Sequence, residues 1–304
     1  MKKIVILFWS FILVMTAILN HKADASELSI SQYPGVLENK KSSYPLRTLR
    51  PSTINAFSDH NQGFLDGCHA GKYGSYPKKI CKYGRKTGYN YTVAIIGDSH
   101  SSHWLAAVEK FAYQYKIRVL LATKSGCTLT TTQKSNYASC NKWNKTVIPA
   151  IVKYKPDVVL TKANNTQTGY RHDTGIINKF RELNNHNIKV FAIRDTPYFK
   201  SQVPDCIRAY GRDSTKCKVA KSHIPPSPNW AKKIQAEPNV KYVDYTNLIC
   251  NKGRYCNPTQ GNITIMRDKH HMTNTYSRTF YHYIFKDLYP YLKEIRAEKM
   301  ANGL

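Results

Sequence analysis

Thr92-Val-Ala-Ile-Ile-Gly-Asp-Ser-His-Ser-Ser-His103 decides how the rest of the chain is read. Thr92 to Ile96 is a short, β-branched run, the composition of a buried strand. It breaks at Gly97-Asp98-Ser99-His100. From His103 to Tyr115, Trp104, Ala107, Val108, Phe111, Ala112 and Tyr115 recur at helical spacing. Strand, Gly-led turn and helix in that order put Ser99 at the carboxyl end of a strand, just before a helix N-terminus. Ligands bind at that edge of open α/β sheets, and the N–H groups of a helix start stabilise negative charge developing beside them. Ser99 reads there either as a nucleophile whose own N–H is an oxyanion donor, or as a plain N-cap, since Asp and Ser both favour caps.

Outward from this stretch, strands and helices alternate. Ile117 to Thr123 is a second strand, ending at Lys124-Ser125-Gly126-Cys127, and Asn141 to Tyr154 is a helix that Pro149 is placed to kink. A third strand, Val158 to Lys162, ends at Ala163-Asn164-Asn165. A helix near Thr174 to Asn185 precedes a fourth strand, Lys189 to Arg194. Residues 197–228 are a proline-rich excursion. A short helix from Asn229 to Gln235 leads to a fifth strand, Val240 to Tyr245, and the final helix runs from Asn274 to Glu298 with a break expected at Pro290. This pattern predicts an α/β fold: a mostly parallel five-stranded sheet in a three-layer α/β/α, doubly wound, flavodoxin-like arrangement with disulfide-stapled loops.

The 304 residues, 41% hydrophobic and 12% aromatic, support a real core and exclude global disorder. Lys2 and Lys3 precede an apolar run from Ile4 to Leu19, and Ala23-Asp-Ala25 fits a cleavage site, so residues 1–25 read as a signal peptide. The run is short for a comfortable membrane span of about 20 residues. The expected protein is secreted or held in the cell envelope, extracytoplasmic. Ser26 to His60 is a linker or surface arm, and residues 61–304 form one α/β domain.

Eight cysteines agree with export: Cys68, Cys81, Cys127, Cys140, Cys206, Cys217, Cys250 and Cys256. Pairing of sequential neighbours is the economical connectivity, each pair closing a short loop for about 2–3 kcal/mol. Spacing alone leaves the connectivity open. No pair has the Cys-x-x-Cys spacing of a zinc site, and neither a metal nor a cofactor is expected. The formal charge of +27 favours polyanionic surroundings. Export makes these an anionic wall or membrane surface. Scattered lysines and the lack of a nucleic-acid-binding signature argue against nucleic acid. A retaining glycosidase would need a carboxylate pair, and a nucleotide enzyme a Gly-rich phosphate loop; neither pattern is present.

Near the end of the chain stands Arg267-Asp-Lys-His-His-Met-Thr273. Asp268 and His271, three positions apart in a turn, can face one cleft, where the imidazole takes a serine proton and the carboxylate sets its tautomer. The plainer alternatives are a helix cap for Asp268 and a solvated turn for His270 and His271. The Asp-x-x-His spacing favours His271 over His270 as the base. His100 and His103 are candidates for substrate contact.

Together these segments resemble the SGNH hydrolase superfamily. The closer resemblance is to the SGNH domain fused to membrane acyltransferase-3 domains in bacterial surface-polysaccharide O-acyltransferases. It is carried by Cys81-Lys-Tyr-Gly84, Val93 to Trp104, Ser125-Gly-Cys127, Pro156-Asp-Val-Val-Leu160, the Cys206/Cys217 excursion and Arg267 to Thr273, over about residues 63–290. The resemblance implies Ser99 as nucleophile, His271 as general base and Asp268 as its orienting partner. It implies an oxyanion hole from the Ser99 N–H, Gly126 and Asn165. The third block departs from the usual Gly-x-Asn-Asp, reading Ala163-Asn-Asn-Thr166, so Asn164 competes with Asn165. The implied activity is that of a serine esterase or O-acyltransferase moving a small acyl group, acetyl, to or from a cell-envelope glycan. A separate membrane acyltransferase would be the donor-supplying partner. The rival is a non-catalytic glycan- or wall-binding module, and the two part on whether His271 comes within hydrogen-bond reach of Ser99.

Overall fold

The strands up to residue 243, in chain order, are β1 (His69–Ala70), β2 (Cys81–Gly84), β3 (Tyr91–Gly97), β4 (Ile117–Lys124), β5 (Val158–Lys162), β6 (Lys189–Ile193), β7 (Val219–Ala220) and β8 (Val240–Val243). The computed structural model describes residues 28–303 apart from 41–42, 78, 166–172, 222–223, 225–227 and 251–252. The expected signal segment therefore lies outside the described residues. Five strands pair parallel in the order β4-β3-β5-β6-β8. The chain first steps from β3 to β4 on one side, then crosses to β5 on the other. The switch point thus falls at the carboxyl end of β3, where Ser99 follows, and in such sheets the ligand crevice opens there.

The sheet has seven strands rather than five. β1 runs parallel to β4 opposite Thr123 and Lys124, and β2 runs antiparallel to it opposite Arg118 to Leu121. Both sit on the same outer edge of β4. They are two and four residues long, too short to show a period-2 pattern, so their segment reads as a stapled loop.

Alternate residues of each central strand enter different cores, as the pleat requires. Val93, Ile95, Val119, Leu121, Leu160 and Phe191 pack under the helices Leu105–Ala112 and Tyr281–Ala301. Ala94, Ile96, Leu120, Ala122, Val159 and Val190 pack under Ala138–Val152, Thr174–Asn184 and Pro228–Gln235. This is the doubly wound, three-layer arrangement, with every strand residue named here fully buried or nearly so.

One helix expectation changes, the break at Pro290. Pro149 lies inside the helix Ala138–Val152, and Pro290 inside Tyr281–Ala301. An internal proline costs about 3 kcal/mol. Ile284, Leu288, Leu292 and Ile295 form a buried stripe along the last helix that outweighs this. The break comes earlier, between Asn274–Arg278 and Tyr281–Ala301. The excursion after β6 holds a helix, Val203–Tyr210.

The four cysteine pairs are the sequential ones: Cys68–Cys81, Cys127–Cys140, Cys206–Cys217 and Cys250–Cys256. Residues 28–60, where described, lie along the body. Val36 and Leu37 are buried in the first core, and Arg50 pairs with Ile263. The Asp59 carbonyl and carboxylate accept from the N–H groups of Asn274 and Thr275. Among the described residues no helix is long and apolar enough to cross a membrane.

Candidate active site

Gly97 ends β3 at φ +126, and a Cβ there would stand 2.4 Å from Ser101 Oγ and 3.0 Å from Thr161 Oγ1. Only glycine fits such a conformation and so close an approach. Asp98 then caps the helix Ser99–Ser102, its carboxylate accepting from the N–H groups of His100 and Ser101. The capping role thus belongs to Asp98, which leaves the Ser99 hydroxyl to the cleft. Asp98 is itself buried against Lys162, with Oδ2 2.5 Å from Nζ. Burial pushes the Asp98 carboxyl up, but the Lys162 ammonium and His100 outweigh it and hold it below the usual range.

The second half of the site is a tight turn near the chain's end. Met266 and Met272 bridge antiparallel, and the Arg267 N–H donates to the His271 carbonyl. Asp268 Oδ1 accepts from the N–H groups of both His270 and His271 at 2.9 and 2.8 Å. That leaves Oδ2 2.6 Å from His271 Nδ1. His271 Nε2 lies 2.8 Å from Ser99 Oγ. An Nδ1–H donated to Asp268 makes Nε2 the acceptor, so the Ser99 hydroxyl donates to it. Asp268 does not cap the following helix; Thr273 does, accepting from the Tyr276 N–H.

Burial lowers the His271 imidazole, Asp268 pulls it back up, and the net position is below the ordinary value. Burial raises the Asp268 carboxyl, but the His271 hydrogen bond and the two backbone N–H groups bring it well below the carboxylate range. The pair is therefore a neutral imidazole and an ionised carboxylate near neutral pH. This is the state a general base needs.

Gly126 follows β4 in an exposed turn at φ +56, with its carbonyl held by Lys134 Nζ at 2.9 Å. The two asparagines of the third block diverge. Asn164 Oδ1 accepts from the Asp195 N–H at 2.9 Å, so its side chain is turned toward β6. Asn165 Nδ2 donates to Thr128 Oγ1, which donates to Asp98 Oδ2. Asn165 is thus the member of the pair on the Asp98 side.

His100 and His103 are the two candidates for substrate contact. They are only 6% and 5% exposed. His100 holds Asp195 Oδ1 at 2.6 Å through Nδ1 and His270 Nδ1 at 2.7 Å through Nε2. His103 Nε2 accepts from the Met272 N–H at 3.3 Å, pinning the tail turn to the end of the Ser99–Ser102 helix. Burial drives the His103 imidazole far below its ordinary value.

Asp195 and Lys162 were missed at sequence level. Lys162 Nζ lies between Asp98 and Asp195, 2.5 and 3.8 Å away. Each stands at or just beyond the carboxyl end of a parallel strand, the same position that singles out Ser99, Gly126 and Asn165. The sequence also shows no metal-ligand spacing, yet His100, His270 and His271 cluster, with ring nitrogens within 4.8 Å of one another. His100 stands 170 positions from His270, so no local motif could reveal the cluster.

His69 on β1 ties this edge together. Its Nδ1 lies 2.9 Å from Thr123 Oγ1, its Nε2 3.0 Å from Ser125 Oγ, and Phe64 stacks on the ring at 4.0 Å. Burial lowers its pKa to about 4; Asp98 opposes this, while His271, Arg267 and Lys124 add to it. The unfolded chain binds this proton more readily, so the stabilisation is present above pH 6.5 and lost as pH falls toward 4. Denaturant titrations at pH 7 and pH 4 check this. Wild type should lose at most about 3 kcal/mol more than His69→Gln over that interval. Equal losses would show that His69 is not held neutral by the fold.

The fold and this geometry define a doubly wound α/β protein carrying a serine–histidine–aspartate hydrogen-bond chain at its switch point. The chain belongs to the family described as SGNH domain (fused to AT3 domains), whose model matches residues 67–284. Among solved structures it is similar to the periplasmic domain of a lipopolysaccharide acetyltransferase from Salmonella ser. Paratyphi A. The TM-score is 0.51 at 16% identity, over 67% of this chain and 85% of that one. It is also similar to TesA, with TM-score 0.42 at 14% identity over 66% and 98% of the two chains. A GDSL-like lipase from Bacteroides thetaiotaomicron VPI-5482 matches with TM-score 0.41 at 14% identity over 66% and 89%. No curated protein matches the sequence. Family membership makes esterase or acyltransferase chemistry the kind this protein carries.

Proposed function

We propose that this protein is an extracytoplasmic serine O-acyltransferase or esterase that moves an acetyl group to or from a cell-envelope glycan. The observation that carries the reading is the unbroken chain from Ser99 Oγ to His271 Nε2 at 2.8 Å and from His271 Nδ1 to Asp268 Oδ2 at 2.6 Å. Ser99 Oγ attacks the ester carbonyl carbon while His271 Nε2 takes its proton. The tetrahedral oxyanion is received by the Ser99 N–H at the helix start, the Gly126 N–H and the Asn165 amide. Collapse expels the alcohol, protonated by His271, and leaves an acyl-Ser99 ester. A sugar hydroxyl or water, deprotonated by the same imidazole, then takes the acyl group and frees Ser99.

Acetyl and glycan are favoured by the lipopolysaccharide acetyltransferase likeness, and a membrane acyltransferase partner by the family's fusion to AT3 domains. The N-terminal lysines and apolar run support export, and the +27 charge suits an anionic envelope surface. A hydrogen bond from Ser99 to His271 favours the enzyme over a binding module, which has no need of it. The test incubates purified protein with a chromogenic acetyl ester, with and without an oligosaccharide acceptor. Release of the chromophore is expected; acetate found on the sugar marks transfer, and free acetate alone marks hydrolysis. No release above the buffer rate would overturn the proposal.

A further inference from the structure

Three imidazoles meet beside Ser99, and two of them are braced as metal ligands are. His100 Nδ1 rests on Asp195 Oδ1 and His271 Nδ1 on Asp268 Oδ2, both at 2.6 Å. A carboxylate behind an imidazole sets its tautomer and raises its basicity, the arrangement found behind most metal-binding histidines. In both rings it leaves Nε2 as the lone-pair nitrogen facing the cluster. His270 supplies the third nitrogen: its Nδ1 is 2.7 Å from His100 Nε2, and Tyr198 stacks flat on its ring at 4.6 Å. The acyl-transfer chemistry uses only one of these three rings, so a single base leaves the other two unexplained.

We propose that His100, His270 and His271 form a binding site for a borderline transition-metal cation, Zn2+ by ligand type and number, and that occupancy shuts the Ser99 centre. Three imidazoles and one open position match the zinc donor set. With Zn–N bonds of about 2.0–2.1 Å, tetrahedral ligands stand about 3.3 Å apart. The 2.7 Å contact between His100 and His270 therefore opens slightly, and the wider pair, within 4.8 Å, closes. His270 moves its proton from Nδ1 to Nε2 to present a lone pair. Ser99 Oγ or a water takes the fourth position. His271 Nε2 cannot bind the cation and also accept the Ser99 proton, so a filled site is an inactive one. The inhibitory half rests on the proposed esterase; the binding half stands without it.

Calorimetric titration of chelator-stripped protein with Zn2+ tests the site, with Co2+ as a spectroscopic probe. Wild type and Ser99→Ala should each take up one Zn2+ per chain. Binding to His270→Gln should be weaker by about tenfold or more. Wild type should give the visible absorption of tetrahedral Co2+, a measurement that needs no variant to fold. Ester turnover by wild type should fall as the site fills and return with chelator. Equal zinc uptake by wild type and His270→Gln, or no tetrahedral Co2+ spectrum, overturns the site. Stoichiometric zinc with turnover unchanged overturns the inhibition. Zinc bound by a protein with no turnover at all would count against the esterase and leave the site standing.

Discussion

Ser99→Ala is expected to lower kcat on a chromogenic acetyl ester by between about 10^4- and 10^6-fold. That loss corresponds to about 5–8 kcal/mol of barrier. It is large because, in the proposed mechanism, alanine removes the atom that forms the covalent intermediate and leaves His271 and Asp268 without a hydroxyl to activate. The fold should be untouched. The Ser99 hydroxyl meets His271, whereas the helix start is capped by Asp98. An unfolding midpoint equal to wild type, together with the lost turnover, is therefore the expected pair of results. Turnover that persists undiminished in the variant would remove the mechanism.

The second large effect is on stability. Lys162 Nζ is buried between Asp98 and Asp195, with Lys162 and Asp98 side chains 4% and 5% exposed. Burial lowers the Lys162 ammonium, but the two carboxylates more than restore it, so both partners stay charged. Lys162→Met leaves the Asp98 carboxylate buried with its cation gone, and should cost about 3–5 kcal/mol. Asp98→Asn with Lys162→Met should recover a large part of that loss, since asparagine also caps helices and carries no charge. Urea denaturation of the two variants is the measurement. A single variant within about 1 kcal/mol of wild type, a typical hydrogen bond's net contribution, would show that the ion pair carries little of the stability. Activity should fall with it, because Asp98 holds the turn that presents Ser99.

Much of this was legible from residue order. The four longer parallel strands, β3, β4, β5 and β6, announce themselves as buried apolar runs, and β3 and β5 match their expected spans almost to the residue. The two strands on the edge of β4 did not, because two to four residues carry no periodicity. Pro290 was misread for a related reason. A local rule marks proline as a break, whereas a buried stripe of four aliphatic residues along the helix decides the outcome.

What the sequence by itself determined is the doubly wound sheet, the local cysteine pairing as its economical solution, and Ser99 with Asp268 and His271 as the residues to watch. These follow from short-range chemistry: periodicity, turn residues and a three-residue spacing. What only the tertiary structure decided is that His271 reaches Ser99 across 172 positions, that Asp98 takes the cap, and that His100 turns inward to Asp195 and His270. Such contacts depend on which strand ends the sheet order brings side by side, and no window of sequence contains that order.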